Sequence, residues 1–479
     1  MVIALDLGTS SARATLYDLQ GRAVPGRFHQ VTYAPTLTPD GGVEHDPAVL
    51  LEAVAACLDS VTRASRHDDI RGVGVTTFWH GLLGFDAGGH PVTPIFTWAD
   101  SRSAPDAALL RGALDDRALH ARTGCHLHSS YWTAKLRWLA RERPADVQHV
   151  AHWGSIGEHL ELALFGETAT SVSMASGTGL FDQETLRWDT EALAAAGVEP
   201  AHLFPLAEPG GRRGLRAPWS ARWPALRGVP WFPAVGDGAA SNVGSDCVDP
   251  SRIALNVGTS AAIRLVTREA GQAPIGLWRY RVDRRRALVG GATSEGGNVY
   301  AWCRDVLKLP PPDEVERMLA TRAPDSHGLT LLPFLAGERA PGWRGDRRAT
   351  ITGLSLSSTA LDVAHAAMEA VVFRLMLIYA RLAPVAAAEH RVVASGGAVA
   401  HSRVWTRMLA DGLGRAIHWS PESEATSRGA ALLALEALGA WSDLGAAPAP
   451  LGEVFAPDAA RHARYLAALE RQQRLDERV

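Results

Sequence analysis

The chain has 479 residues, 47% hydrophobic and 21% charged, with a formal net charge of −3. That is enough apolar length for two globular domains with cores of their own, which excludes a disordered or fibrous chain. Near-neutral charge without a long basic run gives no electrostatic footprint for nucleic acid or an anionic membrane, so a small molecule is the expected partner. Cys57, Cys125, Cys247 and Cys303 are widely spaced and form no Cys-x-x-Cys pair, which argues against a zinc knuckle or a disulfide framework. The only lysines are Lys135 and Lys308, and neither follows a glycine, so a Gly-Lys-Ser/Thr phosphate loop is absent. Gly-x-Ser-x-Gly and His-Glu-x-x-His motifs are also missing.

Along the chain, Ile3 to Ser10 reads as a strand ending in a Gly-Thr-Ser turn, and a second apolar run follows. Met1 leads straight into it without a basic and apolar leader, so a cytoplasmic protein is expected. Asp18 to Gly21 makes a turn, and Asp46-Pro47 through Val61 carries helix-period apolar residues behind an early proline. Val73 to Thr77 reads as a buried strand, Leu82 to Phe85 and Pro91 to Phe96 flank an Asp-Ala-Gly-Gly turn, and Lys135 to Ala140 lies in a helix. Glu191 to Trp231 is rich in Pro, Gly, Arg and Trp, and the connection between domains is placed at its end. Then Ile253 to Ser260 repeats Ile3 to Ser10 with two conservative changes, Asn256 for Asp6 and Val257 for Leu7. Helices follow around Asp362 to Leu382, Ser402 to Leu413 and Ser427 to Leu438. The apolar stretch Val371 to Tyr379 is broken by Arg374, which makes it a buried helix rather than a membrane span. Mixed sheet with helices in both halves is α/β architecture, divided into residues 1–245 and 246–479.

The repeated turn exposes backbone N–H groups and hydroxyls, and two facing copies suit one polyphosphate. Asp6 carries a charge where Asn256 does not, so a metal-related role belongs to the first copy. Asp237 stands between Gly236 and Gly238 at a strand-to-helix junction, either as a helix N-cap or as a carboxylate open to a reacting hydroxyl. Ser395-Gly396-Gly397 lets a phosphate or flat ring approach the backbone, and Gly290-Gly291 and Gly296-Gly297 raise the same possibility. Trp79-His80 and Trp98 to Arg102 place aromatic, imidazole, carboxylate and guanidinium groups after strands, a mixture that suits a polyol or a sugar carboxylate. Lys135 reads as a surface helix residue, and Glu338-Arg339 as a solvated ion pair.

Taken together, Asp6-Leu7-Gly8-Thr9-Ser10, Thr97-Trp98-Ala99-Asp100-Ser101-Arg102, Gly236-Asp237, Gly337-Glu338-Arg339-Ala340-Pro341 and Ser395-Gly396-Gly397 resemble the FGGY carbohydrate kinases, nearly end to end. Gly353-Leu354 through Asp362, His365 and Ala366 to Glu369 is similar to that family's C-terminal signature. The shorter signature ending in Lys135-Leu136-Arg137-Trp138 fits except at Trp132, where Pro, Ser or Thr is usual. The resemblance implies a two-lobe actin-like, ribonuclease H-like fold that closes on ATP, Mg²⁺ and a sugar, with a homodimer as one family possibility. It implies Asp237 as general base, Asp6 with Asp237 at Mg²⁺, and Gly8, Thr9, Ser10, Ser11, Arg13, Gly258 and Thr259 at the phosphates. Gly297, Gly396, Gly397 and His401 match positions near the nucleotide, His401 standing where Asn is frequent. The sugar would meet Trp79, His80, Asp100 and Arg102. The loops look most similar to the gluconokinase branch, with D-gluconate as acceptor and xylulose or another ketose or polyol as the alternative. A silent sugar-binding regulator and an actin-like ATPase are the readings outside that class.

Overall fold

The computed structural model describes residues 1–65, 68–446 and 448–479. Among these, two mixed sheets carry the fold. In the first the order is Val235–Gly236, Gly72–Thr77, Val2–Leu7, Ser11–Tyr17, Ala23–Thr32. In the second, Trp278–Arg281 edges the order Ala287–Thr293, Ala261–Thr267, Arg252–Val257, Arg391–Ser395, Ile417–Trp419, Val454–Phe455. Each sheet has an antiparallel hairpin pair at its centre and a parallel strand, Gly72–Thr77 or Arg391–Ser395, on the far side of the first strand. The sequence repeat is therefore a repeat of topology. Each turn is closed by the N–H of its glycine, with a register that differs by one residue: Gly8 N–H donates to Ser11 O, three residues on, and Gly258 N–H to Ser260 O, two residues on, each at 2.9 Å.

Each first strand is buried by helices that follow hydrophobic periodicity. Pro47–Ala64 starts where Asp46 caps Ala48 N at 2.8 Å and buries Leu50, Val54, Leu58 and Val61 against the first hairpin. Leu82 to Phe85 and Pro91 to Phe96 flank the Asp86 to Gly89 turn, which Gly89 N–H closes on Asp86 O at 3.0 Å, and Leu83–Phe85 takes His152–Gly154 as its ladder partner. Bridges at Leu82 and Phe85, with a Val92 N–H to Gly84 O bond at 2.9 Å, link it to the Pro91 to Phe96 run. Nor does the chain leave the first lobe at Trp231, because Val235–Gly236 still adds to the first sheet and Asp237–Gly244 follows as a helix. Gly290 and Gly291 lie inside a strand and make no ligand loop of their own.

The Ala360–Leu382 helix begins with a capping box between Thr359 and Asp362. It is the one helix, among the described residues, long and apolar enough to cross a membrane by composition, but 83% of its apolar window is buried in the core. Glu369, fully buried on it, accepts from His365 Nε2 at 3.1 Å, His327 Nε2 at 3.0 Å and Asp325 N. Leu329 N–H donates to His327 Nδ1, so the His327 proton sits on Nε2 and the trio is a hydrogen-bonded carboxylate rather than a metal centre. Burial raises the Glu369 carboxyl, yet these donors outweigh it and hold the group down at about 2. Its stabilising effect is thus full above the unfolded value and is lost as pH falls from about 4.5 toward 2. Glu369→Gln is expected to cost about 2–3 kcal/mol at neutral pH and to flatten the acid limb of Tm against pH in that window. An unchanged acid limb in calorimetry would assign the acid sensitivity elsewhere.

Candidate active site between the lobes

A cavity of about 660 Å³ lies between the two sheets and is lined from both lobes. The first turn contributes Thr9 and Ser10, and the second contributes Gly258, Thr259 and Ser260. Two further backbone segments press against the second turn and its strand: one through Gly297 N–H to Gly258 O at 2.7 Å and Asn298 N–H to Thr259 O at 3.2 Å, the other at Gly396 beside Val257. Glycine is required at these approaches. A Cβ on Gly297 would lie 2.8 Å from Gly258 O, and one on Gly396, whose φ is 102°, would lie 2.6 Å from Val257 O. Gly396 and Gly397 open the short Gly397–His401 helix behind that turn, and His401 is exposed at its end, outside the cavity lining. Ser11 is buried as the first residue of its strand, and Arg13 lies 3.3 Å from Asp6 and 3.7 Å from Glu424.

Asp237 occupies the first turn of Asp237–Gly244, where Gly236 is the cap residue, so its side chain is released from N-cap duty. Its Oδ1 accepts from Gly238 N–H at 2.8 Å. The flanking glycines have a steric reason. A Cβ on Gly236 would lie 1.8 Å from Trp79 Cε2, and one on Gly238 would lie 2.4 Å from Arg264 Nη1. Burial raises the Asp237 carboxyl above the usual range, against the pull of Arg264. Burial likewise pushes Asp6 up to about 7, opposed by Arg13 and reinforced by Asp237. The buried Asp6 and the half-buried Asp237 repel each other and make a hard oxygen donor set that a divalent cation such as Mg²⁺ would satisfy, so these residues fit that ion.

At the other end of the cavity Trp79, Trp278 and Tyr280 present aromatic faces, with Trp278 stacked on Tyr280 at 4.3 Å. Tyr131 of the first lobe and Tyr280 of the second meet hydroxyl to hydroxyl at 2.6 Å. His80, held at φ 67°, contacts Gly177 O through Nδ1 at 2.6 Å. Burial, with Arg339 nearby, pushes it down to about 3, so it is neutral and can pair with hydroxyls.

Several residues face differently from the sequence reading. Asp100 and Arg102 pair with each other and do not line the cavity; the Arg102 fork is also taken by Glu44 and lies 4.5 Å over Trp138. Glu338 and Arg339 are not a pair. Glu338 turns inward to Arg344 Nε at 2.8 Å, Gly342 N and Arg374, while Arg339 lines the cavity over Trp98 at 5.0 Å. Lys135 is buried, donating to Ser129 O at 2.8 Å and Ser130 O at 2.7 Å, and burial pushes it down to about 7. It thereby fixes the His128 to Ser130 segment, which lines the cavity. Arg264, Arg339, Tyr280 and His128 were not singled out as site residues from sequence; the only signal for Arg339 was its place in Gly337 to Pro341.

Residues 1–244 match the family model for the FGGY family of carbohydrate kinases, N-terminal domain, and residues 253–438 match its C-terminal domain. Gluconokinase of Bacillus subtilis is 29% identical over 480 aligned residues, covering 95% of this chain and 91% of that one. Two crystal structures from Lactobacillus acidophilus, a gluconate kinase and a ligand-bound xylulose kinase, each superpose with a TM-score of 0.92 at 26% identity. Each of these alignments covers 99% of this chain and 97% of the other.

Proposed function

The chain belongs to the FGGY family of carbohydrate kinases and is an ATP-dependent, Mg²⁺-using sugar kinase; we propose that its acceptor is D-gluconate, phosphorylated at the terminal hydroxyl to 6-phosphogluconate. The observation that carries this is the charge of the cavity wall: among the described residues Asp237 is its one carboxylate, set against the guanidiniums of Arg264 and Arg339. Among those residues, too, Arg339 has no carboxylate partner, and its Nε is buried without a hydrogen bond. An unneutralised guanidinium stacked on an indole is a ready anchor for a sugar carboxylate. The B. subtilis gluconokinase and the L. acidophilus gluconate kinase support the same branch. A neutral ketose such as xylulose is the second reading, favoured by neutral His80, by the aromatic walls and by the equal likeness to the xylulose kinase.

In the proposed mechanism Asp237 takes the acceptor hydroxyl proton, and Thr9, Ser10, Gly258 and Thr259 direct N–H and O–H groups at the phosphates. Gly8, Ser11 and Arg13 support the first turn, Gly297, Gly396 and Gly397 the second, and His401 stands at the outer edge of the nucleotide side. Mg²⁺, held by Asp6 and Asp237, would supply neutralising charge at the phosphates. Trp79 and His80 cover the sugar, while Asp100 and Arg102 act from behind the wall by bracing the loop that carries Trp98. The same reading has the enzyme act in the cytoplasm, where ATP is supplied.

A coupled ATP-to-ADP assay with gluconate, xylulose, ribulose, glycerol and no sugar tests this. Turnover is expected with gluconate, and Arg339→Met is expected to raise KM for gluconate about 30-fold, equivalent to about 2 kcal/mol of charge-assisted bonding. KM for any neutral acceptor should stay within about twofold. Turnover confined to a ketose would remove the carboxylate argument, and equal rates in every well would make the protein an ATPase.

A further inference from the structure

Arg264 is the only charged residue of Ala261–Thr267, the strand that leaves the second phosphate turn. A cation in the middle of a central strand needs space, and two glycines provide it. Gly290 is its partner across the ladder, where a Cβ would lie 2.8 Å from Arg264 Cγ. Gly238 is the other, where a Cβ would lie 2.4 Å from Nη1. The side chain thus crosses from the second lobe to the first turn of the Asp237–Gly244 helix in the first. Its Nε is buried with no hydrogen-bond partner, and the opposite charge acting on it most strongly is Asp237. A second-lobe guanidinium therefore stands beside the proposed base, in a cavity also lined by both Gly-Thr-Ser turns.

We propose that Arg264 is a catalytic residue of the transfer, its guanidinium touching the γ-phosphoryl group as that group passes from ATP to the acceptor. The inference rests on the kinase reading of this site, with Asp237 as base, and holds for either acceptor. In the step, the bond from the γ-phosphorus to the bridging oxygen breaks and its electron pair leaves with ADP. The acceptor oxygen forms the new bond to phosphorus, and its proton passes to the Asp237 carboxylate. Negative charge spreads over the three phosphoryl oxygens during this passage, and a planar five-donor cation stabilises it there more than in the ground state. One lobe carries the cation and the other the base, so the pair is assembled only with the lobes together. That arrangement disfavours transfer to water from an open enzyme.

The test compares Arg264→Met, Arg264→Lys and Gly238→Ala with the unmodified protein, in steady-state turnover and in calorimetric binding of ADP and Mg²⁺ with and without aluminium fluoride. Arg264→Met is expected to lower kcat about 10²–10³-fold, with acceptor KM within about threefold and ADP affinity unchanged. The tightening of ADP by aluminium fluoride should disappear in it. Lys should recover about tenfold of the rate, and Gly238→Ala, which displaces Nη1 but keeps the charge, should lose part of the same tightening. Unchanged kcat would overturn the proposal. So would a raised gluconate KM with kcat retained, which makes Arg264 an acceptor anchor, or equal weakening of ADP with and without fluoride, which makes it structural. Absence of fluoride tightening in the unmodified protein also overturns it. If no acceptor in the panel is turned over, the acceptor reading has failed, while the fluoride comparison still decides Arg264.

Discussion

Replacing Asp237 by Asn is expected to lower kcat by about 10²–10⁴-fold, the span of a lost general base, while ADP affinity changes by less than about twofold. Asn matches the carboxylate in size and its Oδ1 can still accept from Gly238 N–H, the bond that orients the side chain at 2.8 Å. Trp79 and Arg264 keep their places because the flanking glycines are untouched. What disappears is the ability to take the hydroxyl proton at the helix start. Asp6→Asn provides the contrast. It too removes a carboxylate, but one that is buried outside the cavity lining, at the end of the first strand, and paired with Arg13. Its defect should be a higher Mg²⁺ requirement that saturating Mg²⁺ partly repairs, whereas Asp237→Asn should stay slow at any Mg²⁺ concentration. Full activity of Asp237→Asn would remove it as the base and leave it a metal ligand at most.

The parts of this site that were legible in sequence are those written in backbone. Ile3 to Ser10 and Ile253 to Ser260 repeat in sequence and in structure, each a buried strand running into a tight Gly-Thr-Ser turn that one glycine N–H to carbonyl bond closes. Asp237 was legible from its two glycines, which the close approach of Trp79 and Arg264 requires. Side-chain facing was not legible, because it depends on distant partners. Arg102 looks available in sequence, but Glu44, 58 residues earlier, occupies its fork. Glu338 and Arg339 are adjacent in sequence, yet one turns to Arg374 in the core and the other to Trp98 across the cleft. Lys135 reads as a surface residue on its helix face until the Ser129 and Ser130 carbonyls fold over it. Gly290 looks like a loop residue and instead makes room in a strand for Arg264, a cation hidden in an apolar run.

Gly429→Ala is expected to destabilise the protein by about 3 kcal/mol or more and to reduce kcat with it, because it would force apart the two helices that join the lobes. One of them, Asp237–Gly244, begins with the proposed base, and the other, Ala425–Ala437, belongs to the second lobe. They touch backbone to backbone: a Cβ on Gly429 would lie 1.8 Å from Ala240 O, and one on Gly244 would lie 1.7 Å from Ala425 O. A third glycine, Gly74 in the first sheet, would place a Cβ 2.2 Å from Ala430 O. Carbonyl oxygens within a helix cannot rotate away, so the clash must be relieved by moving a whole helix, and Asp237 moves with it relative to the second Gly-Thr-Ser turn. Gly112 supplies the control. It lies exposed in the Ala104–Ala113 helix, and a Cβ there would meet nothing within 4 Å. Ala at that position should raise stability by up to about 1 kcal/mol through helix propensity alone. Calorimetry and turnover on both variants separate the effects: a general intolerance of alanine would lower both Tm values, whereas a glycine-built crossing lowers only that of Gly429→Ala. A Gly429→Ala protein with unchanged Tm and kcat would mean that the helices have slack between them and that the crossing does not set the position of Asp237.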